Sequence, residues 1–155
     1  MIAEFDVLSA AEVELMLKAP ILVCILVAGA DDNIDEAEMR EAIHLAKKKS
    51  TQSQPGLIEF YSIVAQDFED KLKVVIQSFP IEATQRNPLI TEELSQLNVV
   101  LPRLATSFSI PFYKSIREIA RKVAESSGGI FGISSIGSEE ATWVDLPMVK
   151  SPSTF

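Results

Sequence analysis

Residues 20–46 read PILVCILVAGADDNIDEAEMREAIHLA. Pro20 to Ala28 is apolar at every position. Residues 31–38 then carry Asp31, Asp32, Asn33, Asp35, Glu36 and Glu38. From Met39 the apolar positions Met39, Ile43 and Ala46 recur at spacings of four and three, the repeat of one helix face. The apolar run is too short to cross a bilayer, which takes about 20 residues. A helix without a polar face belongs at the centre of a protein. The stretch therefore predicts a central helix opened by Pro20, a polar connection, and an amphipathic helix over 35–50.

The same reading extends in both directions. Ser9 and Glu12 have the spacing of a capping box, with Leu8 and Val13 at the staple positions, so a first helix runs to about Lys18. Lys47, Lys48 and Lys49 suit a helix C-terminus. TQSQPG, 51–56, reads as a loop. Leu57 to Phe79 is helical with a break near Asp67, and Pro80 to Pro88 is a connector. Thr91 caps a helix to about Ala105, which Pro102 distorts or splits. Pro111 opens a long helix through Ser126. A glycine-rich loop, SGGIFGISSIG, precedes a short last helix, Glu139 to Leu146.

No strand alternation appears. The expected fold is all-α: one compact bundle of six to eight helices over 1–147, with 148–155 as a flexible C-terminal tail. Val27-Ala28, Ile34 and Glu38 are echoed by Val123-Ala124, Ile136 and Glu140, which points to a pseudo-twofold helix–loop–helix repeat.

The chain has 155 residues and a net charge of −8. Residues 1–41 hold ten acids and two bases, and the remainder holds twelve of each. An acidic surplus confined to one quarter argues against a nucleic-acid surface, which needs clustered Lys and Arg. It suits a basic protein partner or a cation. Cys24 is the only cysteine, which excludes an internal disulfide and multi-cysteine zinc sites. The N-terminus, MIAEFDVLSAAEVE, lacks the basic segment of a secretory signal. These features lead to an expectation of a cytoplasmic protein without direct membrane insertion. The oligomeric state is not legible.

Much of the acidic stretch is explained by helix initiation. Asp35 is a good N-cap, Glu38 is its capping-box partner, and Ile34 and Met39 form a staple. Asp31, Asp32 and Asn33 remain. Asp31, Asn33 and Asp35 alternate as do the first ligands of an EF-hand, but Glu36 stands where that loop needs glycine and Ala42 where it needs glutamate. The candidate partner- or cation-binding residues are Asp31, Asp32, Asn33, Asp35, Glu38 and Glu140. A metal reading takes Asp31, Asp35 and Glu38 as oxygen ligands for calcium, magnesium or manganese, with Glu139 or Glu140 assisting. No other cofactor is expected.

Catalytic signals are sparse. His44 is the only histidine, and no GxSxG element accompanies a serine. The glycine-rich loop lacks the GK[ST] ending of a phosphate loop, so Ile130, Phe131 and Ile133 read as buried anchors. A carboxylate-pair hydrolase is the remaining enzymatic option, and the expectation is no enzyme. Phe60, Tyr61, Phe68 and Trp143 read as core or core-edge aromatics, with a partner groove lined by the first three as the alternative.

LVAGADDNIDEAEM and IREIARKVAESSGGIFGISSIGSEEATWVDL together resemble the TerB-like family, which includes tellurite-resistance TerB and an N-terminal domain of DnaJ-like co-chaperones. The resemblance runs from about Leu17 to Leu146. It implies an all-α pseudo-twofold bundle, a role in tellurite resistance or wider stress responses, and no established reaction. The family's acidic loop positions carry over to Asp31, Asp35 and Glu38, and its second-unit glutamate to Glu140. They are suggested to bind cations or partners. This chain has Asp32-Asn33 where the family usually has glycine. Its second loop carries Ser126, Ser127, Ser134 and Ser135 and no aspartate. The HPD tripeptide of a J-domain is absent.

Overall fold

Ser9 and Glu12 start the first long helix as their spacing requires. The Ser9 N–H donates to Glu12 Oε1 at 2.8 Å, and the Glu12 N–H donates to Ser9 Oγ at 3.2 Å. Leu8 and Val13 pack against the core beside this cap. The computed structural model describes residues 2–28, 36–52, 55–127 and 143–152. Helices α1 (Ala10–Ala28), α2 (Glu36–Gln52), α3 (Pro55–Ala65), α4 (Phe68–Gln77), α5 (Ala83–Ser95), α6 (Leu97–Val100) and α7 (Thr106–Ser127) carry the fold. Short 3-10 turns cover Ala3–Val7 and Leu101–Arg103, and the described residues contain no strand.

α1 is the centre of the bundle. It packs against α2, α3, α4, α5 and α7, and every residue from Ala19 to Ala28 is buried. Burying a Val, Leu or Ile side chain is worth about 1.5–3 kcal/mol. That sum keeps α1 continuous through Pro20, where the sequence predicts a boundary. Pro20 has no N–H for the Met16 carbonyl, a loss of about 3 kcal/mol that a run of buried aliphatics outweighs.

Two further boundaries shift for the same reason. Pro88 lies inside α5, so the expected connector stops short of it, and Thr91 is no cap. The Thr91 hydroxyl donates back to the Pro88 carbonyl at 3.0 Å within the helix. Pro111 lies inside α7, which begins at Thr106 and is anchored on both sides of the proline by buried Phe108 and Phe112. The expected 51–56 loop is shorter, since α2 reaches Gln52 and α3 starts at Pro55. The break near Asp67 stands where it was read. Asp67 takes a left-handed conformation, φ 56°, which aspartate tolerates better than most residues.

Aromatic edges bind α3 to α7. Phe60 meets Phe5, Tyr61, Phe108 and Phe112 edge-on, with ring centroids 5.0–6.1 Å apart. Phe60, Tyr61 and Phe68 are sealed in the core, so they do not line a partner groove.

The C-terminal segment also departs from expectation. Residues 143–146 form turns rather than the end of a helix, and Leu146 adopts a left-handed φ of 49° with its side chain fully buried. The residues expected as a flexible tail are docked as far as Lys150. Asn98 Nδ2 donates to the Met148 carbonyl at 2.9 Å, and the Lys150 N–H donates to Asn98 Oδ1 at 2.8 Å. One amide side chain thus pairs with backbone as a neighbouring strand would. Val149, between the two bonded residues, is buried. The helix start expected at Glu139, and the echo at Ile136 and Glu140, lie outside the described residues.

Candidate functional site

The acidic stretch joins the central helix to its amphipathic neighbour. α1 ends at buried Ala28 and α2 resumes at Glu36, immediately after the position at which Asp35 would cap it. Asp31, Asp32, Asn33, Asp35, Glu139 and Glu140 lie outside the described residues. Glu38 falls in the first turn of α2, and its side chain also lies outside them. Among the described residues, no group of three or more His, Cys, Asp or Glu side chains could hold a metal ion.

The nucleophile inventory is poor. Cys24 is sealed inside α1, and burial pushes its thiol up to about 12, so the thiolate is suppressed. His44 is exposed on α2, whereas Cys24 sits in the core, so they do not form a pair. Burial likewise pushes the Tyr61 hydroxyl well above its ordinary range.

Several surface charges are committed to structure. Arg103 holds both carboxylate oxygens of Glu12, at 2.8 and 2.6 Å, and donates to the Val7 carbonyl. The Ser9 N–H, followed by Arg103, holds the Glu12 carboxyl below the usual carboxylate range. Part of the acidic N-terminal quarter is therefore tied to the helix cap. Lys18 pairs with Glu93 at 2.7 Å, and its ammonium lies over the Phe79 ring. Arg117 pairs with Asp145 at 2.9 Å.

The surface has one feature that the sequence reading missed. A groove of about 460 Å³ runs between α1 and α4, floored by Ile63 and Val64 of α3. α1 contributes Glu14, Leu17, Lys18 and Ile21 to its wall. α4 contributes Lys71, Val74, Val75 and Ser78. Both sets have the i, i+3, i+4, i+7 spacing of a helix stripe. The α4 stripe is visible in the sequence, but nothing there says whether another helix covers it. Val74 is 66% exposed, so nothing in the described structure does.

No protein-family model, curated protein or solved structure matches the chain. Fold and surface together define an all-α bundle with a sealed core and an open apolar groove. Among the described residues no helix is long and apolar enough to cross a membrane.

Proposed function

We propose that this chain is a non-enzymatic TerB-like helical module that works by binding. Its acidic stretch, Asp31, Asp32, Asn33, Asp35 and Glu38, with Glu140 from the second unit, faces a basic segment of a protein partner in a tellurite-type or related stress response. The observation that carries the reading is the charge distribution: the whole acidic surplus lies in residues 1–41. The connection between α1 and α2 supports it, because that position sets four aspartate and asparagine residues between two core helices. Oppositely charged surfaces steer association and set specificity.

An oligolysine peptide tests this reading directly. The Asp31→Asn/Asp32→Asn variant binds it several-fold more weakly than the native chain, with an unchanged Tm and a flatter salt dependence. Equal binding by both proteins overturns the reading, and an equal loss of Tm makes the two residues structural. Cells carrying the native chain survive tellurite better than cells carrying the variant.

A divalent cation held by Asp31, Asp35 and Glu38 is the second reading, favoured by the alternation of Asp31, Asn33 and Asp35. Binding to the native state raises stability by about 2.7 kcal/mol at 100 times Kd. Melting curves unchanged by millimolar calcium, magnesium and manganese refute it.

A further inference from the structure

We propose that the groove between α1 and α4 is the docking site for one amphipathic α-helix of a partner protein. The two walls present matched helical stripes, the arrangement into which a third helix packs by ridges and grooves. Leu17 and Ile21 form one wall, Val74 and Val75 the other, and Ile63 and Val64 lie beneath them. Leu17, Ile63 and Val75 are only partly buried against the core, so an incoming aliphatic side chain covers surface that water now touches.

The rim states what the partner carries. Lys18 is neutralised by Glu93, which leaves Glu14 on the α1 side and Lys71 on the α4 side without an ion-pair partner among the described residues. A helix with an aliphatic stripe, a base on one flank and an acid on the other satisfies both. A fatty-acyl ligand fits less well, because the groove is open along one side and leaves Val74 in solvent.

The groove and the acidic stretch share no residue. Its α1 wall spans Glu14 to Ile21, and from Ile21 to the end of α1 at Ala28 the axis climbs about 10 Å. Failure of one reading therefore leaves the other standing.

The test uses fluorescein-labelled helical peptides of about 18 residues. Each carries a Leu, Ile, Val or Met stripe flanked by glutamates on one side and lysines on the other. Fluorescence anisotropy with the full chain shows saturable binding by at least one of them. Val74→Glu weakens that binding about tenfold or more while far-UV circular dichroism and Tm stay native. It leaves oligolysine binding unchanged, whereas Asp31→Asn/Asp32→Asn does the reverse. A peptide with the charged flanks exchanged binds native protein more weakly, and Glu14→Lys/Lys71→Glu inverts that order.

Four results overturn the proposal. One is no saturable binding below about 100 μM. Another is equal binding by a scrambled peptide or by Val74→Glu. A third is displacement of the peptide by equimolar dodecanoate, which assigns the groove to a small amphiphile. The last is a native dimer that Val74→Glu converts to monomer, which assigns it to a second copy of this chain.

Discussion

Tyr61 Oη and Ser115 Oγ lie 2.6 Å apart in the interior, joining α3 to α7. Ser115 already donates to the Phe112 carbonyl at 2.7 Å, so Tyr61 is the donor between the two hydroxyls. Lys49 of α2 sits 5.9 Å above the Tyr61 ring and pairs with Glu118 of α7 at 3.3 Å. Three helices thus meet at one buried phenol.

Removing either partner has unequal consequences. Tyr61→Phe removes one hydrogen bond and leaves Ser115 bound to Phe112, a loss of about 0.5–1.5 kcal/mol. Ser115→Ala strands the buried Tyr61 hydroxyl, a loss of about 1–3 kcal/mol. Urea unfolding of both variants and of the double variant gives the order. If Tyr61→Phe is the more damaging, the donor assignment is wrong.

Alkaline pH weakens the fold through Cys24. Its folded value is raised from 9.0 to about 12, so the folded state keeps a proton that the unfolded chain releases. The stabilisation is fully present below pH 9.0 and is lost between 9.0 and about 12. Tyr61 shifts in the same direction and adds to the loss above pH 10.0. Cys24→Ala flattens the alkaline limb by up to about 1.4 kcal/mol per pH unit, read from denaturant midpoints at successive pH values. Parallel limbs for the two proteins contradict the assignment.

The Asn98 clamp controls access to the C-terminus. Asn98→Ala deletes both bonds to the 148–150 backbone, about 1–3 kcal/mol of local stability at 0.5–1.5 each. Trypsin then cuts after Lys150 faster than in the native chain, with Tm changed little, as mass spectrometry of timed digests shows. Unchanged cleavage means that buried Val149 alone holds the segment.

Pro20 gives a balance between two known terms. Alanine is better in a helix interior by about 3 kcal/mol. It also gives up two buried methylenes, about 1.6 kcal/mol at 0.8 each. Pro20→Ala is therefore neutral or stabilising by about 1 kcal/mol. A destabilisation above about 2 kcal/mol shows that α1 needs the proline's shape at that point.

Helix starts were legible where a local bond makes them. Ser9 and Glu12 bond across three residues, and Asp67 breaks the chain within its own peptide unit, so neighbours in sequence suffice. Prolines misled because the evidence against a boundary is remote. Pro20, Pro88 and Pro111 look like punctuation locally, and only burial of the residues on either side keeps each helix continuous. The C-terminal residues misled similarly, since PMVKSPSTF has no local reason to order and its partner, Asn98, lies about fifty residues away in sequence.

Composition and periodicity by themselves determined an all-α chain with a central apolar helix, an acidic first quarter and a single inert cysteine. Those properties depend on each residue and its nearest turns. Tertiary structure alone decided that α1 is one helix, that Phe60 and Tyr61 are sealed in the core rather than lining a partner groove, and that the Leu17 and Val74 stripes face a common open groove. A stripe of aliphatic side chains is identical in sequence whether a neighbour covers it or water does. Only the packing of α1, α3 and α4 separates the two.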